Sequence, residues 1–251
     1  MSHIDIKQAK LPGVKTIIGV MNGKGGVGKT FAAVNLALTF AKLGKKTGLL
    51  DADITCPSVF KALGITQKIT PTADNKIIPI EKWGVRTVSM AGLTAKDDEA
   101  LAWRGTIISR ILQQFLKESI WGELDVLVID FPPGTSDIAL SILQNFEIDF
   151  AIIVTSPQEL ALAAAKRTMQ MATLLNVPVL GILENMRGDI FGEGGSRRLA
   201  ENYRVPFLGS IPLRKQIITF TDQGVPPVFH MEELEMIFGK VARFTMEKIS
   251  V

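Results

Sequence analysis

Thr16-Ile-Ile-Gly-Val-Met21 runs directly into Asn22-Gly23-Lys24-Gly25-Gly26-Val27-Gly28-Lys29-Thr30, and Phe31–Leu43 follows with apolar residues at helical spacing. An apolar strand, a glycine-rich loop and a helix in that order are the parts of a phosphate-binding loop. The segment from Gly23 to Thr30 fits its pattern of Gly, four residues and then Gly-Lys-Thr. At average composition such a match arises by chance in about one chain in a hundred of this size. Glycines let backbone N–H groups turn inward around phosphate oxygens, where side chains would obstruct them. The helix N-terminus adds partial positive charge. Lys29 is then in reach of the β- and γ-phosphates, and the Thr30 hydroxyl of a Mg²⁺ ion. Lys24 is a second cation that a plain phosphate loop does not need. Three roles stay open for it: solvent exposure, a phosphate of its own subunit, or a phosphate across a dimer.

Working outward, short apolar runs alternate with longer helical patterns. Thr47–Leu50, Asp125–Ile129, Ala151–Val154 and Val179–Leu183 are apolar enough for strands buried on both faces. Ile77–Lys82 and Val85–Met90 read as a hairpin about Trp83-Gly84. Ile107–Ile120, Pro157–Leu175, Gly195–Tyr203 and Glu232–Ile249 read as helices, the second with proline in its first turn. Gly44 ends the helix after the loop. This alternation predicts an α/β fold, a doubly wound and mostly parallel sheet of seven to eight strands with helices on both faces. We expect one domain over residues 1–251, with residues 1–14 an N-terminal arm and residues 231–251 a helix docked on the core. In that last stretch Leu234, Ile237, Phe238 and Val241 form an apolar stripe. Its charges run from Glu232, Glu233 and Glu235 to Lys240, Arg243 and Lys248, the order a helix dipole favours.

Two acidic motifs follow strands: Asp51-Ala-Asp53, and Asp130-Phe-Pro-Pro-Gly134. Ligand sites in doubly wound sheets lie at the carboxyl ends of strands. Asp130 is thereby a candidate to hold Mg²⁺ through water, and Asp53 to orient an attacking water. Asp51 and Asp53 share a face of an extended strand end, an arrangement suited to a nearby cation. The competing role for each carboxylate is a helix N-cap. The two prolines after Asp130 argue against it there.

Of the 251 residues, 47% are hydrophobic and 21% charged, which excludes a disordered chain. The formal net charge is +3, with the basic residues dispersed rather than striped, so a nucleic-acid partner is not expected. Mean hydropathy is +0.25, yet no apolar run approaches the ~20 residues of a membrane helix. The longest candidate, Met169–Leu183, is broken by Gln170, Thr173, Asn176, Pro178 and Gly181. The N-terminal residues lack the apolar core of a signal peptide. A single cysteine, Cys56, excludes an intrachain disulfide and any four-thiolate site built from one chain. It fits a reducing cytoplasm, with no membrane partner.

Lys24 together with Lys29 gives Lys-Gly-Gly-x-Gly-Lys-Thr, a form that resembles the deviant-Walker ATPases. Further stretches resemble the Mrp/ApbC group of iron–sulfur carriers. They are Asp51–Ser58, Trp103-Arg104-Gly105, Trp121–Asp125, Asp130–Asp137, Val154–Gln158, Glu184-Asn185-Met186, Phe191–Gly195 and Val205–Pro212. The resemblance spans about Lys15 to Val228 and implies slow, Mg²⁺-dependent ATP hydrolysis in a homodimer whose two nucleotides face each other. By motif, Lys24 resembles the lysine that reaches the partner's phosphates, and Lys29 and Thr30 keep the roles given above. Asp53 resembles a water-positioning residue, Asp130 the Walker-B acid, and Asn185 the residue that reads the adenine edge. A structural alternative for Asn185 is a cap on its strand end. The implied nucleotide-binding set is Gly23, Lys24, Gly25, Gly26, Val27, Gly28, Lys29, Thr30, Phe31, Asn185 and Pro212. The implied catalytic set is Lys24, Lys29, Asp53 and Asp130. The Mg²⁺ set is Thr30, Asp51, Asp53 and Asp130, partly through water.

The same resemblance implies an iron–sulfur client or scaffold protein as partner, but it breaks at one place. Carriers of this group usually have Cys-x-x-Cys between the Glu-Asn-Met and Phe-Gly-x-Gly-Gly motifs. Here the segment is Arg187-Gly188-Asp189-Ile190. Two Cys56 thiols in a dimer fall short of the four ligands typical of such clusters. Cys56 otherwise reads as a small, partly buried apolar residue. The alternative readings are a partition- or septum-positioning ATPase, and a nucleotide-gated adaptor with no cluster.

Overall fold

The computed structural model describes residues 8–93, 105–134 and 136–249. Trp103 and Arg104 of one quoted motif, Thr135 of another, and residues 1–7 of the expected N-terminal arm lie outside the described residues. Eight strands form one sheet: β1 Ile17–Met21, β2 Thr47–Asp51, β3 Ile80–Lys82, β4 Val85–Val88, β5 Val126–Asp130, β6 Phe150–Thr155, β7 Val179–Arg187 and β8 Phe207–Pro212. Their order is β3-β4-β2-β5-β1-β6-β7-β8. Every pairing is parallel except β3 with β4. That exception is the Trp83-Gly84 hairpin. Both turn residues have positive φ, 56° and 76°, as a two-residue turn matched to strand twist requires.

Among the described residues the α-helices are α1 Lys29–Lys42, α2 Val59–Ala62, α3 Gly105–Lys117, α4 Asp137–Asn145, α5 Glu159–Leu174, α6 Gly195–Tyr203, α7 Lys215–Asp222 and α8 Glu232–Ile249. From β1 the chain winds one way through α1 to β2. From β6 it winds the other way through α5 to β7. Right-handed crossovers in opposite directions put helices on opposite faces. The central strands β1, β2 and β5 are buried at every position, as their unbroken apolar sequences dictate. α1 is buried almost all round between the sheet and α8. Its one interior amide, Asn35, donates to the Phe31 carbonyl at 2.8 Å and accepts from the Val228 amide at 3.0 Å. On α8 the stripe residues Leu234, Phe238 and Val241 are buried, and Phe238 meets the Phe31 ring edge-on at 6.0 Å.

Boundaries differ from the sequence reading where the last residues are polar or the run is short. β2 and β5 each extend one residue to include Asp51 and Asp130, which pair in register. β3 begins at Ile80, and Ile77 instead bridges Ser119. β4 ends at Val88, and Ser89 caps a short 3₁₀ turn. α5 starts at Glu159 after an extended Gln158, so Pro157 precedes the helix rather than opening it. No helix among the described residues is long and apolar enough to cross a membrane.

Candidate nucleotide site

β1, β5 and β2 are neighbours, so the loops leaving their carboxyl ends converge. This is also where the strand order reverses, the usual ligand position of such sheets. The loop after β1 is held from below by Asn22, which is buried. Its amide Nδ2 donates to the Val154 carbonyl, and its Oδ1 accepts the Lys24 amide at 2.9 Å. Gly28 is the residue before α1, at φ 87°, and no side chain caps the helix. The first amides of α1 therefore have no acceptor within the helix and face the loop. Gly25, Gly28, Lys29, Thr30, Asp53 and Met186 are among the residues lining a cavity of about 310 Å³ there.

The structure puts Lys29, Thr30 and Asp130 in one cluster. Thr30 Oγ1 donates to Asp130 Oδ2 at 2.6 Å and accepts from Ser58 Oγ at 3.1 Å. Asp130 Oδ1 is buried and has no partner among the described residues. Lys29 is buried, with its Nζ 3.5 Å from the Lys24 carbonyl oxygen. Burial pushes its ammonium below the usual lysine range, while the charges of Asp130 and Asp53 pull it back up. Burial also drives Asp130 well above the carboxylate range, and neighbouring Asp51 adds to the rise. Lys24 is half-buried and its Nζ donates to Gln158 Oε1 at 3.3 Å.

Asp51 and Asp53 divide their work differently from the shared-cation expectation. Asp51 is fully buried, and burial pushes its carboxyl up to about 7. Its Oδ2 accepts from the Ser58 and Val59 amides, each at 3.1 Å, and from Ser89 Oγ at 2.9 Å. Its Oδ1 accepts the Asp53 amide at 3.2 Å. Asp51 thus shapes the loop that carries Asp53. Asp53 lines the cavity, and its Oδ1 accepts from Thr55 Oγ1 at 2.8 Å and from the Cys56 amide at 3.1 Å.

At the next strand end, Asn185 Nδ2 donates to the Val27 carbonyl at 2.9 Å. Its amide is fixed to the phosphate loop itself. Pro212 is buried and ends β8 in register with Arg187 of β7. Phe31 packs its ring on Phe238, so of this residue only the backbone is left for a nucleotide. Cys56 is exposed and lines the same cavity as Met186. Sequence reasoning assigned no role to Asn22, Ser58, Ser89 or Met186. Asn22, Ser58 and Met186 lay in quoted stretches, but nothing local marked their partners.

The donor set fits a Mg²⁺ ion. A hydroxyl with a spare lone pair adjoins an unspent buried carboxylate oxygen, and the Lys29 charge leaves Asp130 still raised by burial and by Asp51. Among the described residues no group of three or more His, Cys, Asp or Glu could hold a metal by itself. A magnesium ion held by one or two protein oxygens and by substrate phosphates needs no such cage.

Comparison with known proteins adds the following. A family profile described as ParA, NUBPL iron-transfer P-loop NTPase, matches residues 13–246. The iron-sulfur cluster carrier protein of Deinococcus radiodurans is 46% identical over 257 residues, covering 97% of this chain and 73% of that protein. The protein of that description from Escherichia coli K12 is 44% identical over 239 residues, covering 91% of this chain and 64% of its own length. The chain thus spans about two thirds of some curated relatives. An ADP-bound nucleotide-binding protein from Archaeoglobus fulgidus superposes with TM-score 0.76 at 33% identity, covering 90% of this chain and 93% of that one. The cell-division ATPase MinD of Pyrococcus furiosus, at TM-score 0.71, 21% identity and coverage of 93% and 99%, shares the fold.

Proposed function

The chain belongs to the ParA-type P-loop NTPases of the NUBPL iron-transfer family, and from that premise we propose that it is a Mg²⁺-dependent ATPase acting as a homodimer. We further propose that its slow cycle serves iron–sulfur cluster assembly or transfer in the cytoplasm, with a client or scaffold protein as partner. One observation carries the ATPase reading: Thr30 donates to Asp130 Oδ2 while Asp130 Oδ1 stays buried and unpartnered. The carrier names of its relatives support the cluster link.

In this reading the loop amides and the first turn of α1 bind the phosphates, and Lys29 offsets their charge. Thr30 and Asp130 would hold Mg²⁺, Asp130 partly through water. That ion, when bound, neutralises charge on the phosphate oxygens. Asp53 orients the attacking water, and Asp51 keeps its loop in place. Asn185 Nδ2 is committed to the Val27 carbonyl, so Oδ1 is left to accept. An acceptor there favours the amino group of adenine over the carbonyl of guanine. Lys24, on the rim of the loop, reaches the partner's phosphates once a second chain closes on the site.

As cargo, a cluster does not fit the thiols of one chain. Residues 187–190 carry none, and Cys56 alone is exposed. Any cluster would require ligands from a partner or a small thiol.

The test is phosphate release by the purified chain with and without Mg²⁺, alongside light scattering with ADP or a non-hydrolysable ATP analogue. Mg²⁺-dependent turnover and an ATP-specific doubling of mass that Lys24→Ala removes are expected. Turnover no faster than buffer would overturn hydrolysis and favour a nucleotide-gated adaptor.

A further inference from the structure

Met186 is a non-glycine residue in the left-handed region, at φ 63°. Such a conformation costs on the order of 1 kcal/mol or more and persists only where surroundings hold it. Its consequence is a sharp division of labour among three successive residues. Asn185 points to the phosphate loop, Met186 into the nucleotide cavity, and Arg187 away to α8. The pairing of β7 with β8 slips between Glu184 and Arg187, so the ladder itself does not fix this turn.

What lies against it is an ion-pair bridge. Glu233 in the first turn of α8 meets Arg187 Nη2 at 3.5 Å through Oε1 and Arg214 Nη2 at 2.7 Å through Oε2. Arg187 Nη1 is also 3.9 Å from Glu193. Arg214 directly follows Leu213, whose amide donates to the Arg187 carbonyl at 2.8 Å. One carboxylate thus joins two guanidinium groups at the ends of β7 and β8, which would otherwise repel each other. Two other contacts of α8 sit apart from this turn: Phe238 on Phe31, and Glu235 on Lys42 at 2.6 Å.

We propose that Glu233, acting through Arg187 and Arg214, is a positioning residue that latches the Met186 turn and so holds Asn185 where it meets the base of the nucleotide. This rests on the ATP-binding reading above. The latch acts more on the base than on the phosphates, because the phosphate loop keeps supports besides the Asn185–Val27 bond, in Asn22 and in the Thr30–Asp130 pair. It also makes α8 a reporter of an occupied base site.

Isothermal titration of the full chain tests it with ATP, GTP and inorganic tripolyphosphate. Glu233→Gln is expected to weaken ATP about five- to tenfold, to shrink the preference for ATP over GTP, and to leave tripolyphosphate within about twofold. In turnover, KM rises while kcat at saturation stays within about twofold. Glu233→Asp recovers part of the loss. Glu235→Gln removes an ion pair of the same helix that does not touch the turn, and leaves ATP affinity unchanged. Unchanged ATP affinity in Glu233→Gln overturns the latch. So does an equal loss in Glu235→Gln, or an equal loss of tripolyphosphate, since either marks general loosening. Should Glu233→Gln fold poorly, Arg214→Gln cuts the same bridge from its more exposed side and is read by the same criteria. Wild-type chain that binds no ATP overturns the proposed function together with the latch.

Discussion

The phosphate-loop end of the sheet and the segment 187–192 lie one after the other along the carboxyl edge, yet they are built on opposite terms. At the first, the supporting side chains are spent on other parts of the chain: Asn22 on Val154, Asp51 on four donors, Thr30 between Ser58 and Asp130. At the second, the loop is closed on itself. Gly188 and Gly192 exchange backbone hydrogen bonds of 3.1 and 2.7 Å, and Ile190 at its tip is 79% exposed. A pre-organised site costs no ordering when its ligand arrives. A self-closed loop with an exposed tip tolerates replacement. The nucleotide site is therefore the pre-organised part of this molecule, and the segment 187–192 is the part built to tolerate change.

The comparison breaks first at Lys29. Lys29→Ala removes the buried cation from the phosphate site and should weaken ATP binding by more than about a hundredfold in titration calorimetry. Retained affinity would mean the phosphates bind elsewhere. Next is Gly28→Ala. Its φ is 87°, and an added Cβ would lie 2.1 Å from Asn185 Nδ2. Backbone strain and a displaced hydrogen bond together should cost about 2 kcal/mol in urea unfolding, with nucleotide affinity falling as well. Gly192→Ala is the matched control. Its φ is 80°, but nothing lies within 4 Å of the new Cβ. Strain alone predicts about 1 kcal/mol and unchanged ATP affinity. Equal effects of the two glycine changes would erase the contrast between the regions. The smallest effect belongs to Cys56→Ser, which should leave ATP binding within about twofold because its thiol accepts no role in the loop network. Anaerobic reconstitution of the same variant sharpens the point. Iron that stays bound in wild type and is lost with Cys56 would tie the exposed thiol to cargo.

Much of this was legible in the chain because it is local. The glycine spacing from Gly23 to Gly28 and the strand before it predict loop and helix within one short stretch. The unbroken apolar runs at β5 and β6 could belong only to doubly covered strands. The Trp83-Gly84 turn was read from the runs on either side. What escaped was short or contextual. α2 is four residues long, too short for any period to show. β8, Phe207-Leu-Gly-Ser-Ile-Pro212, is only partly buried over most of its length and lacks a clean alternation. α7 and α4 are only eight and nine residues long, too short for their period to stand out. The Met186 turn has no sequence signal, since methionine is not a residue that favours positive φ.

The aspartates mark the boundary between the two sources of information. In sequence Asp51 and Asp130 are alike, each closing an apolar strand at the edge where ligands bind, and that alone determined that carboxylates would gather beside the phosphate loop. In space they are cross-strand partners in register. Only the tertiary structure decided that Asp51 would be saturated, by amides of Asp53, Ser58 and Val59 and the hydroxyl of Ser89, while Asp130 kept an oxygen unspent. The reason is that a carboxylate's chemistry is set by which donors surround it, and those donors come from chain segments whose approach no local pattern encodes.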